Sequence, residues 1–177
     1  MWPEVPGRTG TFRCEMIGLK PRQLCWVLPH RLAIGERPGG SGVTHRRIRR
    51  EEEICWLGKN DFAVVVSVLP GSHNLQAYED ASVRCLHLPM PPRPSSSQLS
   101  ELFAVLDDEV IGRSQRTYLH GDEVDDLLTG VCGAYLLHLG LVDNHPSAVA
   151  TIEQVTSRPL GPDGRAIVRS VDPVDRV

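Results

Sequence analysis

Phe62 to Leu69, FAVVVSVL, is apolar at nearly every position and dominated by valine. A strand with one wet face alternates apolar and polar residues. This run does not alternate, so it must be covered on both faces, the condition of a central strand in a parallel sheet. Parallel neighbours need crossover connections, and the chain supplies helical segments on either side. The first is expected to be capped by Ser41 or Thr44 and to run to Leu57, with Gly58 as its stop. Another starts at Ser95 or Ser96 and carries the stripe Leu99, Leu102, Phe103, Leu106 and Val110 at helical spacing, which marks a core face. Leu127 to Leu141 reads as a buried helix in which Gly130, Gly133 and Ala134 permit close packing. A last helix opens on Asn144 with Pro146 near its first position and continues to about Thr156. Val83–Leu88 and Thr117–His120 supply two more strands. Leu24–Leu28 and Leu32–Ile34, split by Pro29-His30, read as a small hairpin or edge strands. The expectation is an α/β fold: one domain with a central, mostly parallel sheet flanked by helices. Residues 1–20 form a loose arm, 21–168 the domain and 169–177 a tail.

At 177 residues the chain can build a core without metal or disulfide help. Its net charge of −3 argues against a nucleic-acid binder, which needs clustered Lys and Arg. No apolar run reaches membrane-spanning length, and MWPEVPGRTG has no signal-peptide pattern, so no membrane association is expected and the location reads as cytoplasmic. The five cysteines Cys14, Cys25, Cys55, Cys85 and Cys132 are scattered without a C-x-x-C pair. That spacing excludes a zinc site and argues against a disulfide framework. No dinucleotide, Walker or nucleophile-elbow motif appears, and no cofactor is implied.

The chemistry concentrates in Thr117 to Tyr135, TYLHGDEVDDLLTGVCGAY. A strand, a short loop and a small-residue helix usually present backbone N–H groups to a phosphate. Here the loop is filled with Asp122, Glu123, Asp125 and Asp126 instead, which would repel a dianion.

The order of these pieces resembles the protein tyrosine phosphatase superfamily, in its small dual-specificity-like branch. The resemblance rests on several stretches in sequence: Cys25-Trp26-Val27-Leu28-Pro29 with Leu32-Ala33-Ile34-Gly35 and Arg37-Pro38-Gly39, Leu57-Gly58 leading into Val64 to Leu69, and His87-Leu88-Pro89. It continues with Thr129-Gly130 before Ala134-Tyr135-Leu136-Leu137, and ends at Arg158-Pro159. Such a family implies a phosphate loop of pattern H-C-x-x-G-x-x-R-[TS]-G. Its cysteine thiolate attacks phosphorus, its arginine clamps the phosphoryl oxygens, and an aspartic acid from a preceding loop protonates the leaving oxygen. Anchored on Thr129-Gly130, the pattern puts Asp122 at the cysteine, Asp125 at the glycine and Leu128 at the arginine. Anchored on His120, it puts Gly121 at the cysteine and Leu127 at the arginine. From Leu86 to Ser100 there is no carboxylate; Pro91 or Pro92 falls where the acid is expected, and Glu101 belongs to the next helix.

The resemblance therefore implies a pseudophosphatase: no catalytic residue, no resident metal, and a degenerate loop Gly121, Asp122, Glu123, Val124, Asp125, Asp126, Leu127 and Leu128 that serves a binding or regulatory module. The alternative is a hydrolase of altered, metal-assisted chemistry using residues 122–126, with His120 as an added ligand. The plain reading is a solvated loop whose acids the helix dipole stabilises by roughly 0.3–1 kcal/mol each. Two surfaces are candidates for a protein partner, the acidic loop and the basic helix start His45–Arg50; Arg47/Glu51 and Arg49/Glu53 there are spaced to pair on a solvated face. Cys132, beyond the loop, reads as a small packing residue.

Overall fold

The computed structural model describes Cys14 and residues 17–174; most of the expected arm, and the last three residues of the expected tail, lie outside the described residues. The valine run forms β3 (Val64–Ser67), buried at all four positions. It is flanked by β4 (Arg84–His87) and β5 (Thr117–His120), both parallel to it, and β5 pairs in parallel with β2 (Leu32–Gly35). β1 (Cys25–Leu28) closes the edge antiparallel to β2, so the sheet order is β1-β2-β5-β3-β4.

Alternate residues of β2, β3 and β5 feed two cores. Ile34, Val66 and Leu119 face α3 (Ser96–Leu106), α4 (Asp126–His138), α5 (His145–Thr156) and α6 (Pro162–Arg169). Ala33, Val65 and Tyr118 face α1 (Arg47–Lys59) and α2 (Leu75–Asp80) through Ile54, Leu57 and Tyr78. Local signals set several helix starts. Ser95 and Gln98 form a reciprocal capping box for α3, and Asn144 accepts the Ser147 N–H at the start of α5. The stripe Leu99, Leu102, Phe103, Leu106 and Val110 is buried, its last member in a π-helical turn at Asp107–Gly112.

Three expectations need correction. Ser41 precedes only a 3-10 turn at Gly42–Thr44; α1 begins after Arg46 and runs through Gly58 to Lys59, because the buried side of Ile54, Cys55 and Leu57 holds it past the glycine. The helix ending at Thr156 is not the last. α6 follows, and it packs so closely on α4 that a Cβ at Gly130 would lie 2.7 Å from the Cα of Gly164. The cysteines are not all unpaired: Cys14 and Cys55 form a disulfide across 41 residues of sequence. Cys55 is buried on α1, and nearby the Leu19 N–H donates to the Glu52 carbonyl of the same helix.

Candidate functional site

In an open parallel sheet, the loops after the carboxyl ends of the strands form the binding crevice. Here Gly35, His120, Ser67 and His87 stand in register across β2, β5, β3 and β4, and the chain beyond β3, β4 and β5 lines a cleft of about 300 Å³. Val68, Leu69, Pro70, Met90 and Pro92 make its apolar wall. Gly121, Asp122, Asp125, Asp126 and Leu127 line it from the β5–α4 loop, and Asp163 from the start of α6.

The loop carboxylates diverge. Asp122 turns to Arg37, its Oδ1 3.1 Å from the guanidinium Nη1. Glu123 is exposed and accepts a long bond from the Ser41 hydroxyl at 3.4 Å. Asp125 caps α4 by accepting the Leu128 N–H at 2.9 Å. Asp126 accepts the N–H groups of Gly161 at 2.8 Å and Gly164 at 3.3 Å, tying α4 to the entry of α6. Asp163 pairs with Arg93 across the mouth at 3.0 Å. Val124 does not face the cleft; it is buried, its N–H donates to Gln23, and its carbonyl accepts from Arg158. Leu128 is buried in the core beneath, whereas Leu127 reaches the cleft. Among the described residues, no three His, Cys, Asp or Glu side chains converge to hold a metal ion.

His120 is fully buried at the end of β5. Its Nδ1 lies 3.0 Å from the Gly121 carbonyl, which can only accept, so Nδ1 carries the hydrogen. Nε2 is then the acceptor and takes the Tyr78 hydroxyl at 3.0 Å. Burial lowers its pKa to about 4, against which its bond to the Gly121 carbonyl works only in part. The imidazole is neutral, its two nitrogens occupied inside the fold.

No free cysteine resembles an activated thiolate. Cys132 sits about 9 Å along α4 from its first residue at 1.5 Å per residue, fully buried, and burial drives its thiol far up. Cys25 is raised by burial, and Cys85 is pushed to about 12 by the same cause. On the other wall, the segment Leu88 to Pro94 brings Met90 and Pro92 to the cleft and no carboxylate. Glu101 is exposed on α3.

Chains of known structure share this architecture. Kinase associated phosphatase, solved with serine in place of its catalytic cysteine, superimposes with a TM-score of 0.72 over 84% of this chain and 93% of its own, at 14% identity. The fold is that of the protein tyrosine phosphatases. Tk-PTP in its active form gives a TM-score of 0.65 at 18% identity, covering 83% of this chain and 93% of that one. The core catalytic domain of the PP-IP phosphatase SIW14 from S. cerevisiae, in complex with citrate, gives 0.65 at 11% identity, with 88% of each chain covered. No protein-family model matches the chain, and no curated protein sequence does.

Within this phosphatase fold, the basic helix start is not the uniform solvated face its spacing suggests. Arg47 and Glu51 pair at 2.8 Å in the open, with side chains 81% and 40% exposed. Arg49 and Glu53 also pair at 2.8 Å but are 13% and 2% exposed, and Glu53 Oε2 accepts the Gly39 N–H at 2.7 Å. That pair holds the Glu36–Gly40 loop after β2, and the loop carries Arg37. The sequence singled out Arg37 only within Arg37-Pro38-Gly39, one of the stretches that carry the resemblance. Its signal was position, two residues past the carboxyl end of a buried strand.

Proposed function

We propose that this chain is a phosphatase-fold domain without phosphatase chemistry, a pseudophosphatase-like binding or regulatory module whose partner is engaged at the cleft. One observation carries the reading. The β5–α4 loop lines the mouth with Gly121, Asp122, Asp125, Asp126 and Leu127, Leu128 lies buried beneath it, and the loop holds neither a thiol nor a guanidinium. The thiols available elsewhere in the fold are raised rather than lowered by their surroundings, the opposite of what attack on phosphorus needs. Four carboxylates and no arginine line the cleft, two of them paired with Arg37 and Arg93 at its edge, and this surplus of negative charge suits a basic segment of a protein partner beside an apolar wall.

Metal-assisted hydrolysis has less support. Asp125 and Asp126 already accept backbone N–H groups, and His120 offers no free nitrogen. Titration calorimetry with Mg²⁺, Ca²⁺, Mn²⁺ and Zn²⁺ separates the two, since the binding-module reading expects no saturable heat.

An aryl phosphate assay tests the central claim. No turnover above solvent is expected, and Asp122→Cys with Leu128→Arg should not restore efficient turnover because the general acid and the loop glycine are still missing. Turnover by the purified chain that disappears in Cys132→Ser would overturn the reading. A basic peptide whose anisotropy rises with the chain at low salt, and not with a chain in which residues 122, 123, 125 and 126 are neutralised, supports the binding role.

A further inference from the structure

The pairing of Arg37 with Asp122 is unequal. The Arg37 side chain is 8% exposed and Asp122 is 52% exposed. The cation is fixed: Nε donates to the Gly40 carbonyl at 2.9 Å, and the Arg37 N–H donates to the Asp122 carbonyl at 3.3 Å. Its loop is pinned on both sides, by Asn74 Nδ2 on the Pro38 carbonyl at 2.7 Å and by the Gly39 N–H on Glu53. The carboxylate belongs to an exposed loop at the edge of the cleft. A guanidinium that has lost its water keeps a strong demand for an anion, because an unpaired buried charge is far costlier than a paired one. Arginine also meets planar and tetrahedral oxyanions with two parallel donors.

We infer that Arg37 is the oxyanion receptor of this cleft and that Asp122 is its tethered ligand, an internal carboxylate that keeps free oxyanions out. The receptor comes from the loop after β2, not from the β5–α4 loop. It stands behind Asp122 at the edge of the cleft because β2 lies beside β5, with Gly35 in register with His120. The site is thus held closed by its own chain, and it takes a phosphate, sulfate or carboxylate group only when Asp122 is neutralised or drawn away. This goes beyond the binding-module reading and does not depend on the absence of turnover.

The test is titration calorimetry of the wild type, Asp122→Asn, Asp122→Ser and the double variant Asp122→Asn/Arg37→Met with inorganic phosphate and, separately, acetate, at constant ionic strength with chloride as control. Circular dichroism verifies the fold of each. Both single variants are expected to bind one of the two anions at least about tenfold tighter than the wild type, roughly 1.4 kcal/mol, and the double variant is expected to lose that gain. Phosphate and acetate arms tell tetrahedral from carboxylate ligands. The inference is overturned if neither anion gains affinity, if the gain survives Arg37→Met, or if both single variants fail to fold, since Asp122 would then be a structural residue.

Discussion

The strand and helix on either side of the β5–α4 loop obey different constraints from the loop itself. β5 is buried at all four positions, and α4 is buried from Leu128 to Leu137. Between them, Asp122, Glu123 and Asp125 are exposed, their side chains meeting Arg37, Ser41 and the Leu128 N–H respectively. Close packing tolerates few replacements, whereas an exposed loop tolerates any residue that satisfies its own backbone. Packing therefore binds the scaffold more tightly than the loop, and this comparison can be broken or sharpened by substitution.

The largest effect is expected where scaffold meets scaffold. Gly130→Val puts a branched side chain against the Gly164 backbone, where even a Cβ lies 2.7–2.8 Å from the Gly164 Cα and carbonyl oxygen. It should cost about 3 kcal/mol or more in urea unfolding; a cost below about 1 kcal/mol would mean that α4 and α6 slide apart easily.

His120, at the junction, should make stability depend on pH. Its folded pKa of about 4 lies below the ordinary 6.5, so the unfolded chain binds the extra proton between these values. The contribution is complete above pH 6.5 and is lost as pH falls toward 4, on the order of 3 kcal/mol in all. Denaturation midpoints of wild type and His120→Gln between pH 4 and 7 measure it. Equal slopes for the two proteins would contradict the buried neutral imidazole.

At the loop's inner edge, Asp126→Ala removes two charge-assisted bonds to the Gly161 and Gly164 N–H groups and should cost about 2 kcal/mol. Hydrogen exchange should rise first at α6. Asp125→Ala removes only the cap of α4 and should cost about 1 kcal/mol in thermal unfolding. The smallest effect belongs to Glu123→Ala, within about 0.5 kcal/mol, because its one bond is long and exposed. A cost for Glu123 equal to that for Asp126 would erase the distinction between loop and scaffold.

How much was readable depended on the range of the interaction. Thr117–His120 as a buried strand, the Ser95 cap and the Asn144 cap followed from neighbours within a few residues. The burial of Arg49 and Glu53 did not. Their spacing is the same as that of Arg47 and Glu51, and only the loop folding over α1 separates a desolvated pair from a wet one. The short α6 escaped notice because a helix of eight residues beginning at Pro162 has little periodicity to display, and its place comes from Gly164 meeting Gly130.

The sequence by itself determined the class of fold and the inventory of the loop: a valine strand with no polar face requires a covered parallel sheet, and no cysteine or arginine lies between His120 and Thr129. Tertiary structure alone decided what the loop's acids do. Placing β2 next to β5 brings Arg37 onto Asp122, and packing α6 on α4 turns Asp126 to the α6 entry. The physical reason is that burial and local hydrogen bonding are written in residue type and short spacing. The partner of a charge is set by which distant segments the sheet order makes neighbours.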